Sequence, residues 1–454
     1  MFHKNYKIHF IGIGGIGMSG IAEFLHYEGY LVSGSDIIAN DITERLRYLG
    51  INVIKGHSAI NIKDADAVVV STAIKNDNAE YTAAKNKNIP IIHRSVMLSE
   101  IVRHKYCIAV SGAHGKTTTT SIVSAIFESG GHDINVLIGG KLKSRGINAK
   151  KGDSNFIVIE ADESDGSLLN LHPSIAVITN IDLEHLDYYK NIDDIKETFI
   201  KFLNQIPFYG FAVLCYDNQF LREIIPFIKP KVYTYGFDEK ADLQAVNIST
   251  NQFFRSNFKV KYEDRILGSI NLNLPGYHNI YNSLAGILVG LNTQLQFKDI
   301  AKALNTLEGV KRRLEIKGVF NEITVIDDYG HHPNEIETTL HTIKDSWPDR
   351  RLVVVFQAHR YSRTKALINE FSNAFTKADS LIILPVYSAG EEPIQGINGV
   401  YLYKKIKNNG HKQIFYEKSI DDACKFLKTY LKPKDVLLTL GAGDVYKLSE
   451  NFQI

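Results

Sequence analysis

The stretch that most constrains the fold of this chain is residues 110–120, which read VSGAHGKTTTT. The apolar run 106–110 before it is typical of a buried strand, and residues 117–128 follow a helical pattern. A strand, a glycine-rich turn and a helix in this order predict a loop whose backbone N–H groups hold phosphate oxygens at a helix N-terminus. In such a loop Lys116 reaches the β- and γ-phosphates, and the Thr117 hydroxyl ligates Mg²⁺.

The motif departs from its common form, and this keeps an alternative open. Val110 stands where the first glycine of G-x-x-x-x-G-K-[ST] belongs. Gly-Lys-Thr also occurs as an ordinary start of a helix. The residues predicted to surround the triphosphate are Gly112, Ala113, His114, Gly115, Lys116, Thr117 and Thr118.

A second glycine-rich turn follows the apolar strand pattern of residues 8–11. Gly12, Gly14 and Gly17 complete the G-x-G-x-x-G pattern, and Asp36 closes the next strand where the ribose-binding acid of a dinucleotide fold belongs. Strand and helix patterns then alternate to residue 92, which predicts a doubly wound parallel α/β domain. These residues alone favour an enzyme that binds NAD(P) over a protein that binds another diphosphate ligand. The structural alternative is that the glycines only form a tight turn between strand and helix, without a ligand.

Acidic residues follow a strand pattern in the middle of the chain. The apolar run 155–159 leads into Glu160, Asp162, Glu163 and Asp165, and the strand pattern 175–179 leads into residues 180–185, which end in His185. Parallel strands deliver such groups to one sheet edge, where ligands bind. Clustered carboxylates beside a phosphate loop suggest a cation that neutralises them, whereas the alternative is a solvated acidic loop.

Residues 243–274 change to an alternating pattern that predicts an antiparallel appendage of strands. A helix opens after Pro275 and carries Asn279 and Asn282 on adjacent turns. Asparagine at a helix start is usually a cap, and contact with a purine edge is the functional alternative.

The last third predicts another sheet, with strands at 323–326, 352–356, 381–384 and 436–440. Arg360 and Arg363 straddle a strand–helix junction, where they could clamp a carboxylate at two points. The alternative is a solvated start of a helix. His331 and His332 have no partner at metal-ligand spacing, which favours hydrogen bonding over zinc binding.

Length and composition indicate an ordinary globular protein. The chain has 454 residues, which suggests about three domains, and its net charge of +2 gives no reason to expect nucleic acid or a membrane surface as a partner. The three cysteines make no metal or disulfide spacing and suit a reducing cytosol. The apolar segment near the N-terminus resembles a signal peptide superficially but is broken by glycines, and no apolar run could span a membrane, so we expect a cytoplasmic protein.

Together these motifs resemble the Mur ligases, the ATP-dependent amide-forming enzymes of peptidoglycan precursor synthesis. The resemblance runs in order along essentially the whole chain. It implies three α/β domains: a Rossmann-like domain over residues 1–105, a central phosphate-loop domain with an antiparallel appendage over 106–313, and a C-terminal Rossmann-like domain over 314–454. It also reverses the NAD(P) interpretation, because in this family the first domain binds the diphosphate of a UDP-sugar. The stretches that carry it are 12–20, 112–118, 160–165, 327–333, 357–364 and 385–391.

Within the family, the resemblance implies an enzyme that joins L-alanine to the lactyl carboxylate of UDP-N-acetylmuramate. The carboxylate would attack the γ-phosphate of ATP, and the amine would then attack the acyl phosphate, with the domains closed against water. The implied UDP-sugar contacts are Gly12, Gly14, Gly15, Gly17, Met18, Ser19 and Asp36. The implied catalytic residues are Lys116, Glu163, His185 and Asp328, and the implied metal ligands are Thr117, Glu163 and His185. The implied further contacts with ATP are Asn279, Asn282 and Arg313. The implied contacts with alanine are Tyr329, His331, His332, Arg360 and Arg363.

Some points stay open at this stage. Arg312 precedes Arg313, so either could face the phosphates, and Glu184 stands where the family more often has aspartate. The alternatives are a related ligase that adds a preformed peptide, an NAD-dependent oxidoreductase and a non-enzymatic nucleotide-binding module. The sequence is compatible with a monomer or a homodimer, and it does not distinguish Glu160, Asp162 and Glu163 as metal ligands.

Overall fold

The structure is a computed structural model that describes residues 5–138, 149–164, 166–183, 188–250, 255–274, 276–307, 312 and 314–451. The predicted site residues His185 and Arg313, together with Glu184 and Asp165, lie outside these residues. The described residues form three β-sheets flanked by helices, which confirms the predicted three-domain α/β class. No helix in them is long and apolar enough to cross a membrane.

The first sheet is fully parallel and has the strand order β3-β2-β1-β4-β5. β1 and β4 lie inside the sheet and are buried along almost their whole length, because both faces of a parallel sheet are covered. Its strands are β1 (Lys7–Ile11), β2 (Leu31–Asp36), β3 (Asn52–Lys55), β4 (Ala67–Val70) and β5 (Ile91–His93). Its helices are α1 (Ile16–Tyr27), α2 (Asp41–Tyr48), α3 (Ala79–Asn86) and α4 (Arg94–Val102).

The second sheet is mixed and follows the order β15-β14-β13-β12-β11-β10-β6-β9-β7-β8. Its strands are β6 (Tyr106–Ser111), β7 (Asn135–Leu137), β8 (Ala149–Lys150), β9 (Phe156–Glu160), β10 (Ile175–Ile178), β11 (Phe211–Cys215), β12 (Lys231–Gly236), β13 (Leu243–Thr250), β14 (Ser256–Tyr262) and β15 (Arg265–Leu272). Its helices are α5 (Lys116–Ser129), α6 (Ile192–Leu203), α7 (Gln219–Ile224), α8 (Tyr277–Asn292) and α9 (Phe297–Thr306).

The appendage of this sheet is partly as predicted. β14 and β15 are joined by Glu263 and Asp264, whose positive φ values of 47° and 63° are those of a type I′ turn, so the two strands form an antiparallel hairpin. β13, in contrast, pairs in parallel with β12. The alternating pattern identified the hairpin because one face of it is buried, but alternation cannot give the direction of the strand beside it.

The third sheet has the order β16-β17-β21-β18-β19-β20, with β16 antiparallel to β17 and the other pairs parallel. Its strands are β16 (Glu315–Phe320), β17 (Ile323–Asp328), β18 (Leu352–Phe356), β19 (Ser380–Ile383), β20 (Ile414–Tyr416) and β21 (Val436–Leu440). Its helices are α10 (Pro333–Ser346), α11 (Tyr361–Ala366), α12 (Ile368–Asn373), α13 (Gly399–Asn408), α14 (Ile420–Tyr430) and α15 (Tyr446–Asn451).

The chain divides into two compact units. The first holds residues 1–249, 257–273 and 278–309, and therefore the first two sheets; the second holds residues 250–256, 274–277 and 310–454, and therefore the third. In both units the central parallel strands are buried along their whole length, as in β11 and β18. Each unit thus presents the carboxyl ends of parallel strands, the edge at which such sheets bind ligands.

Candidate nucleotide and amino-acid sites

The loop between β6 and α5 needs glycine at two positions. Gly112 has a φ of 122° and Gly115 a φ of 85°, in the region that L side chains disfavour. A Cβ on Gly115 would also stand 2.6 Å from Oδ1 of Asn282. Gly115 caps α5, so the N–H groups of Lys116 and Thr117 open the helix, where N–H groups have no acceptor within the helix. This is the predicted strand–loop–helix geometry.

The Lys116 side chain is held by the loop backbone and by Glu163. Its Nζ donates to both carboxylate oxygens of Glu163, at 2.8 and 3.0 Å, and to the Gly112 carbonyl at 2.6 Å. Burial lowers the pKa of Lys116, but the charge and hydrogen bonds of Glu163 outweigh it, and the pKa is raised. The ammonium is therefore charged, and an incoming phosphate competes with Glu163 for it.

The carboxylates after β9 have separate partners. Glu160 accepts hydrogen bonds from the Thr117 hydroxyl at 3.0 and 3.1 Å. Glu163 is buried against Lys116, while Asp162 accepts the backbone N–H of Ser164 at 3.1 Å. Sequence reasoning assigned Glu163 to the metal with Thr117, whereas Glu160 is the acid that contacts Thr117.

Hydroxyl and carboxylate oxygens such as those of Thr117 and Glu160 are ligands that Mg²⁺ prefers. Within the described ranges, no three acidic, histidine or cysteine side chains are grouped so as to hold a metal by themselves. That agrees with the way Mg²⁺ binds at phosphate loops, where a few protein oxygens act together with water and phosphate oxygens.

The loop is braced from β10 by residues whose role the sequence did not indicate. Asn180 accepts the N–H of His114 at 2.9 Å through its Oδ1 and the N–H of Ala113 at 3.3 Å through its backbone carbonyl. The Thr179 hydroxyl donates to the His114 carbonyl at 2.6 Å. Two predicted phosphate donors, the N–H groups of Ala113 and His114, are thus already bonded to protein. An asparagine directly after a strand beside the loop was the available signal.

Asn279 and Asn282 lie within α8 and are buried, so neither is a helix cap. The Asn282 Oδ1 accepts the Thr119 hydroxyl at 3.1 Å, and its Nδ2 donates to Oδ1 of Asn279 at 3.0 Å. The pair fixes α8 against the phosphate-loop helix. Thr118, also predicted, is buried near the start of that helix.

The first glycine loop has a different construction. Gly12 has a φ of 78°, and Oδ2 of Asp36 accepts the Gly14 N–H at 2.8 Å. Gly15 caps α1, whose first turn contains Gly17. Met18 and Ser19 are buried in α1, and the Ser19 hydroxyl donates to the Ile16 carbonyl at 2.9 Å. Their side chains are therefore directed into the protein, and Asp36 supports the loop itself.

A buried polar network lies beneath this loop. Glu80 of α3 is fully buried and accepts Ser35 Oγ at 2.5 Å and Asn61 Nδ2 at 2.5 Å. The imidazole of His9 stands 3.5 Å from the same carboxylate. Burial alone would raise the pKa of Glu80, yet its polar contacts with His9, Ser35 and Asn61 outweigh burial and hold the pKa at about 2.

In the second unit, Asp328 at the end of β17 holds loop backbone. Its carboxylate accepts the N–H groups of Leu314 and Gly330, each at 2.8 Å. Arg312 donates to Asp327 at 3.0 Å and to the carbonyls of Gly441 and Gly443. Arg312 is thus committed within this unit, and Asp328 anchors the residue that follows Arg313.

Rings from three predicted segments meet at the edge of the third sheet. Tyr329 packs edge-on against His331 at 5.4 Å, His331 lies 5.8 Å from His359, and His359 stacks on Tyr387 at 5.7 Å between ring centres. The backbone N–H groups of His331 and His332 both donate to Glu335, at 2.9 and 3.3 Å. These hydrogen bonds hold the backbone of both histidines at the start of α10.

Arg360 and Arg363 flank this edge. Arg360 is exposed at the start of α11, while Nη1 of the half-buried Arg363 lies 3.3 Å from Nδ1 of His359. Burial, and then the charges of Arg363 and Arg360, lower the pKa of His359 to about 4. Glu391 holds Ser362 through the Ser362 N–H at 3.0 Å and hydroxyl at 2.6 Å, which fixes the helix start between the arginines. The site offers two guanidinium groups beside the neutral ring of His359, a suitable environment for a small carboxylate.

Comparisons with known proteins identify all three segments. Residues 7–106 match the family described as Mur ligase family, catalytic domain; residues 110–290 match the Mur ligase middle domain; and residues 312–443 match the Mur ligase, glutamate ligase domain. The structure resembles a UDP-N-acetylmuramate-alanine ligase from Thermotoga maritima, with a TM-score of 0.83, 29% identity and 98% of each chain covered. It also shares its fold with a murein peptide ligase from Psychrobacter arcticus, with a TM-score of 0.72, 24% identity and coverage of 99% and 98%.

Relatives named UDP-N-acetylmuramate–L-alanine ligase are similar over the full length. That of Desulfatibacillum aliphaticivorans is 53% identical, with 100% of this chain and 99% of the relative covered. That of Desulforapulum autotrophicum is 52% identical, with 99% and 98% covered. Because the three family segments follow one another along the chain and the relatives match it over its full length, the chain belongs to the Mur ligase family.

Proposed function

We propose that this chain is an ATP-dependent ligase that joins L-alanine to the lactyl carboxylate of UDP-N-acetylmuramate, with release of ADP and phosphate. The observation that carries the proposal is the pairing of Lys116 with Glu163 beside the contact between Thr117 and Glu160. This arrangement presents a cation and hard oxygen ligands at a helix N-terminus, as a nucleoside triphosphate requires. The relatives at about half identity over the full chain supply the identity of the substrates.

The chemistry brings a carboxylate to the γ-phosphate, so that two anions must meet. Lys116 would neutralise charge on the transferred phosphoryl group, and the N–H groups that open α5 would hold its oxygens. Thr117 and Glu160, together with the predicted Glu163 and His185, would hold Mg²⁺, which supplies further charge neutralisation when bound. Attack by the amine of alanine on the acyl phosphate then forms the amide and expels phosphate.

The remaining roles follow the same proposal. The glycine loop of residues 12–17 and Asp36 would bind the UDP moiety, Arg313 and Asp328 would serve the nucleotide, and Asn279 and Asn282 would lie against its adenine. Arg360 and Arg363 would bind the alanine carboxylate, with Tyr329, His331 and His332 shaping the pocket. The enzyme would act in the cytoplasm, where ATP is available. Its three domains would cover residues 1–105, 106–313 and 314–454.

A phosphate-release assay tests the reaction. Release should require ATP, UDP-N-acetylmuramate, Mg²⁺ and alanine together, and mass spectrometry should show one alanine added to the sugar nucleotide. Activity with a preformed peptide but not with alanine would contradict the proposal in favour of the related ligase. Binding of NADH, with no ATP turnover, would instead favour the oxidoreductase.

The amino-acid site is tested with Arg363→Ala. Because a carboxylate clamp acts in the ground state and the transition state alike, this change should chiefly raise the KM for alanine, by roughly 10-fold or more, and leave the KM for ATP unchanged. Lys365→Ala, which removes an exposed cation from the same helix, is the matched control and should change neither constant. An unchanged KM for alanine in Arg363→Ala would remove this residue from the site.

A further inference from the structure

Arg94 is a cation that lies outside all of the sequence motifs described above. It opens α4 directly after β5, at the carboxyl end of the first sheet, where the glycine loop after β1 also lies. Its side chain is half-buried. Among the residues that the structure describes, Arg94 has no hydrogen-bond partner and no ion-pair partner. A cation that loses part of its hydration is normally compensated by an anionic partner, and none of the described residues supplies one to Arg94.

The guanidinium lies against the first turn of α1. A Cβ built on Gly17 would stand 3.1 Å from Nη1 of Arg94, 3.5 Å from its Cδ and 3.6 Å from its Cζ. A Cβ at position 17 would require the guanidinium to move away by a few tenths of an ångström. The last glycine of the G-x-G-x-x-G pattern therefore makes room for a charge as well as for the packing of the helix.

The glycine loop needs a cation from elsewhere. Residues 12–20 contain no basic side chain, whereas the phosphate loop carries Lys116. The carboxylate of Asp36 is bonded to the Gly14 N–H, so a negative charge stands beside the donors of this loop. A diphosphate at the start of α1 gains from the helix N-terminus but is repelled by that carboxylate. A guanidinium beside Gly17 offsets the repulsion and matches the geometry of phosphate oxygens.

The backbone around Arg94 is firmly held. His93 caps α4, with its Nδ1 2.8 Å from the Ser95 hydroxyl, and Asn170 donates to the same hydroxyl at 2.9 Å. Ser95 is buried. Arg94 thus projects from a fixed helix start, so that little backbone ordering is needed when a ligand binds.

We propose that Arg94 binds the diphosphate of the UDP-sugar at the N-terminus of α1. The inference rests on the proposed function, because it takes the UDP-sugar as the ligand of the first glycine loop. Arg94, at the start of α4, would pair with the negative charge of the diphosphate, and the backbone N–H groups of the glycine loop would donate hydrogen bonds to it.

Calorimetric titration of the full-length chain with UDP and with uridine tests the assignment. Arg94→Ala and Arg94→Gln should each weaken UDP binding by roughly 10-fold or more, because a charge-assisted contact is lost, and should leave uridine binding unchanged. UDP binding to the unaltered chain should also weaken more steeply with added salt than binding to Arg94→Gln. Arg103→Ala is the matched control: Arg103 follows the same helix, is exposed and stands 3.6 Å from Glu100.

The outcomes separate this inference from the function on which it rests. If the unaltered chain binds UDP and both Arg94 variants bind it equally well, the assignment of Arg94 is wrong while the ligase function stands. If uridine binding falls as much as UDP binding, Arg94 supports the fold of the site rather than the diphosphate, and the assignment is again wrong. If the unaltered chain does not bind UDP, both proposals fail. Arg94→Gln keeps the length of the side chain and decides the question if Arg94→Ala does not fold.

Discussion

The two glycine loops of the first unit share a strand–loop–helix plan but differ in where their charges lie. The loop after β6 carries Lys116, which is paired with Glu163 at 2.8 Å, and its Thr117 is bonded to Glu160. The loop after β1 carries no basic side chain, and the acid beside it, Asp36, bonds to its backbone. The loop after β6 thus carries a paired charge of its own, whereas the loop after β1 offers backbone groups and is supported by Asp36.

This difference matches the chemistry proposed for each loop. A diphosphate that is only bound needs oriented N–H groups and a fixed counter-charge, and neither has to change during the reaction. A triphosphate that is cleaved needs a cation that can follow the charge as it moves to the leaving group. Lys116, which already has a carboxylate partner in Glu163 after the neighbouring β9, stays charged and in place before the phosphate arrives.

The largest expected effect tests the charged loop. Lys116→Ala should lower kcat by roughly 100-fold or more, because a cation that stabilises the transition state is lost. Single-turnover phosphate release measures this, and Lys201→Ala, which removes an exposed lysine paired with Glu197, is the control. The melting temperature of Lys116→Ala shows whether the fold survives the loss of the partner of Glu163. Near-normal turnover would contradict the distinction between the loops.

A smaller effect should separate the roles of Glu160 and Glu163, the two acids at the end of β9 that contact the phosphate loop. Glu160→Gln keeps an acceptor for Thr117 but removes the charge, so it should raise the Mg²⁺ concentration needed for half-maximal activity by roughly 10-fold. Direct titration with Mn²⁺, followed by its electron paramagnetic resonance signal in the presence of ADP, should show the same weakening. An unchanged metal requirement would indicate that Glu160 only orients Thr117.

The smallest effect concerns the support beneath the first loop. Because the pKa of Glu80 is about 2 in the folded chain, below its ordinary 4.5, its ionised form stabilises the fold above pH 4.5, and this contribution is lost as the pH falls from 4.5 to 2. Glu80→Gln should reduce stability at neutral pH by about 1–3 kcal/mol and flatten the acid dependence. Thermal unfolding over this pH range measures both.

Glu44→Gln is the control for Glu80, since Glu44 forms an exposed pair with Arg47, and such pairs contribute about 0–1 kcal/mol. If Glu80→Gln behaves like Glu44→Gln at neutral pH, the buried network does not support the first loop.

The fold was largely predictable from sequence because its strands are continuous apolar runs and its loops are marked by glycine. The strand 106–111 and the helix that begins at Lys116 are examples, although Thr118 to Thr120 are weak helix formers and hold their helical conformation while buried. The motifs also gave the edges where Lys116, Asp328 and Arg363 lie. The partners of these side chains were not predictable, because a local pattern does not specify contacts between distant segments.

Particular contacts show why the partners of these side chains could not be predicted. Which acid contacts Thr117 depends on the register of β9 beside β6, and the bracing of the loop by Asn180 depends on the neighbouring β10. Arg94 was overlooked for a related reason. A single arginine at a helix start carries no signal until the structure brings it against Gly17.

The low pKa of His359 has a consequence for how the enzyme tolerates acid. A neutral ring with its proton on Nε2 can accept the Arg363 N–H through Nδ1, and protonation would convert this contact into repulsion. With a pKa of about 4 instead of 6.5, the ring stays neutral through any moderate acidification of its surroundings. The proposed contact between Arg363 and the alanine carboxylate should therefore not change at pH values that would protonate an ordinary histidine.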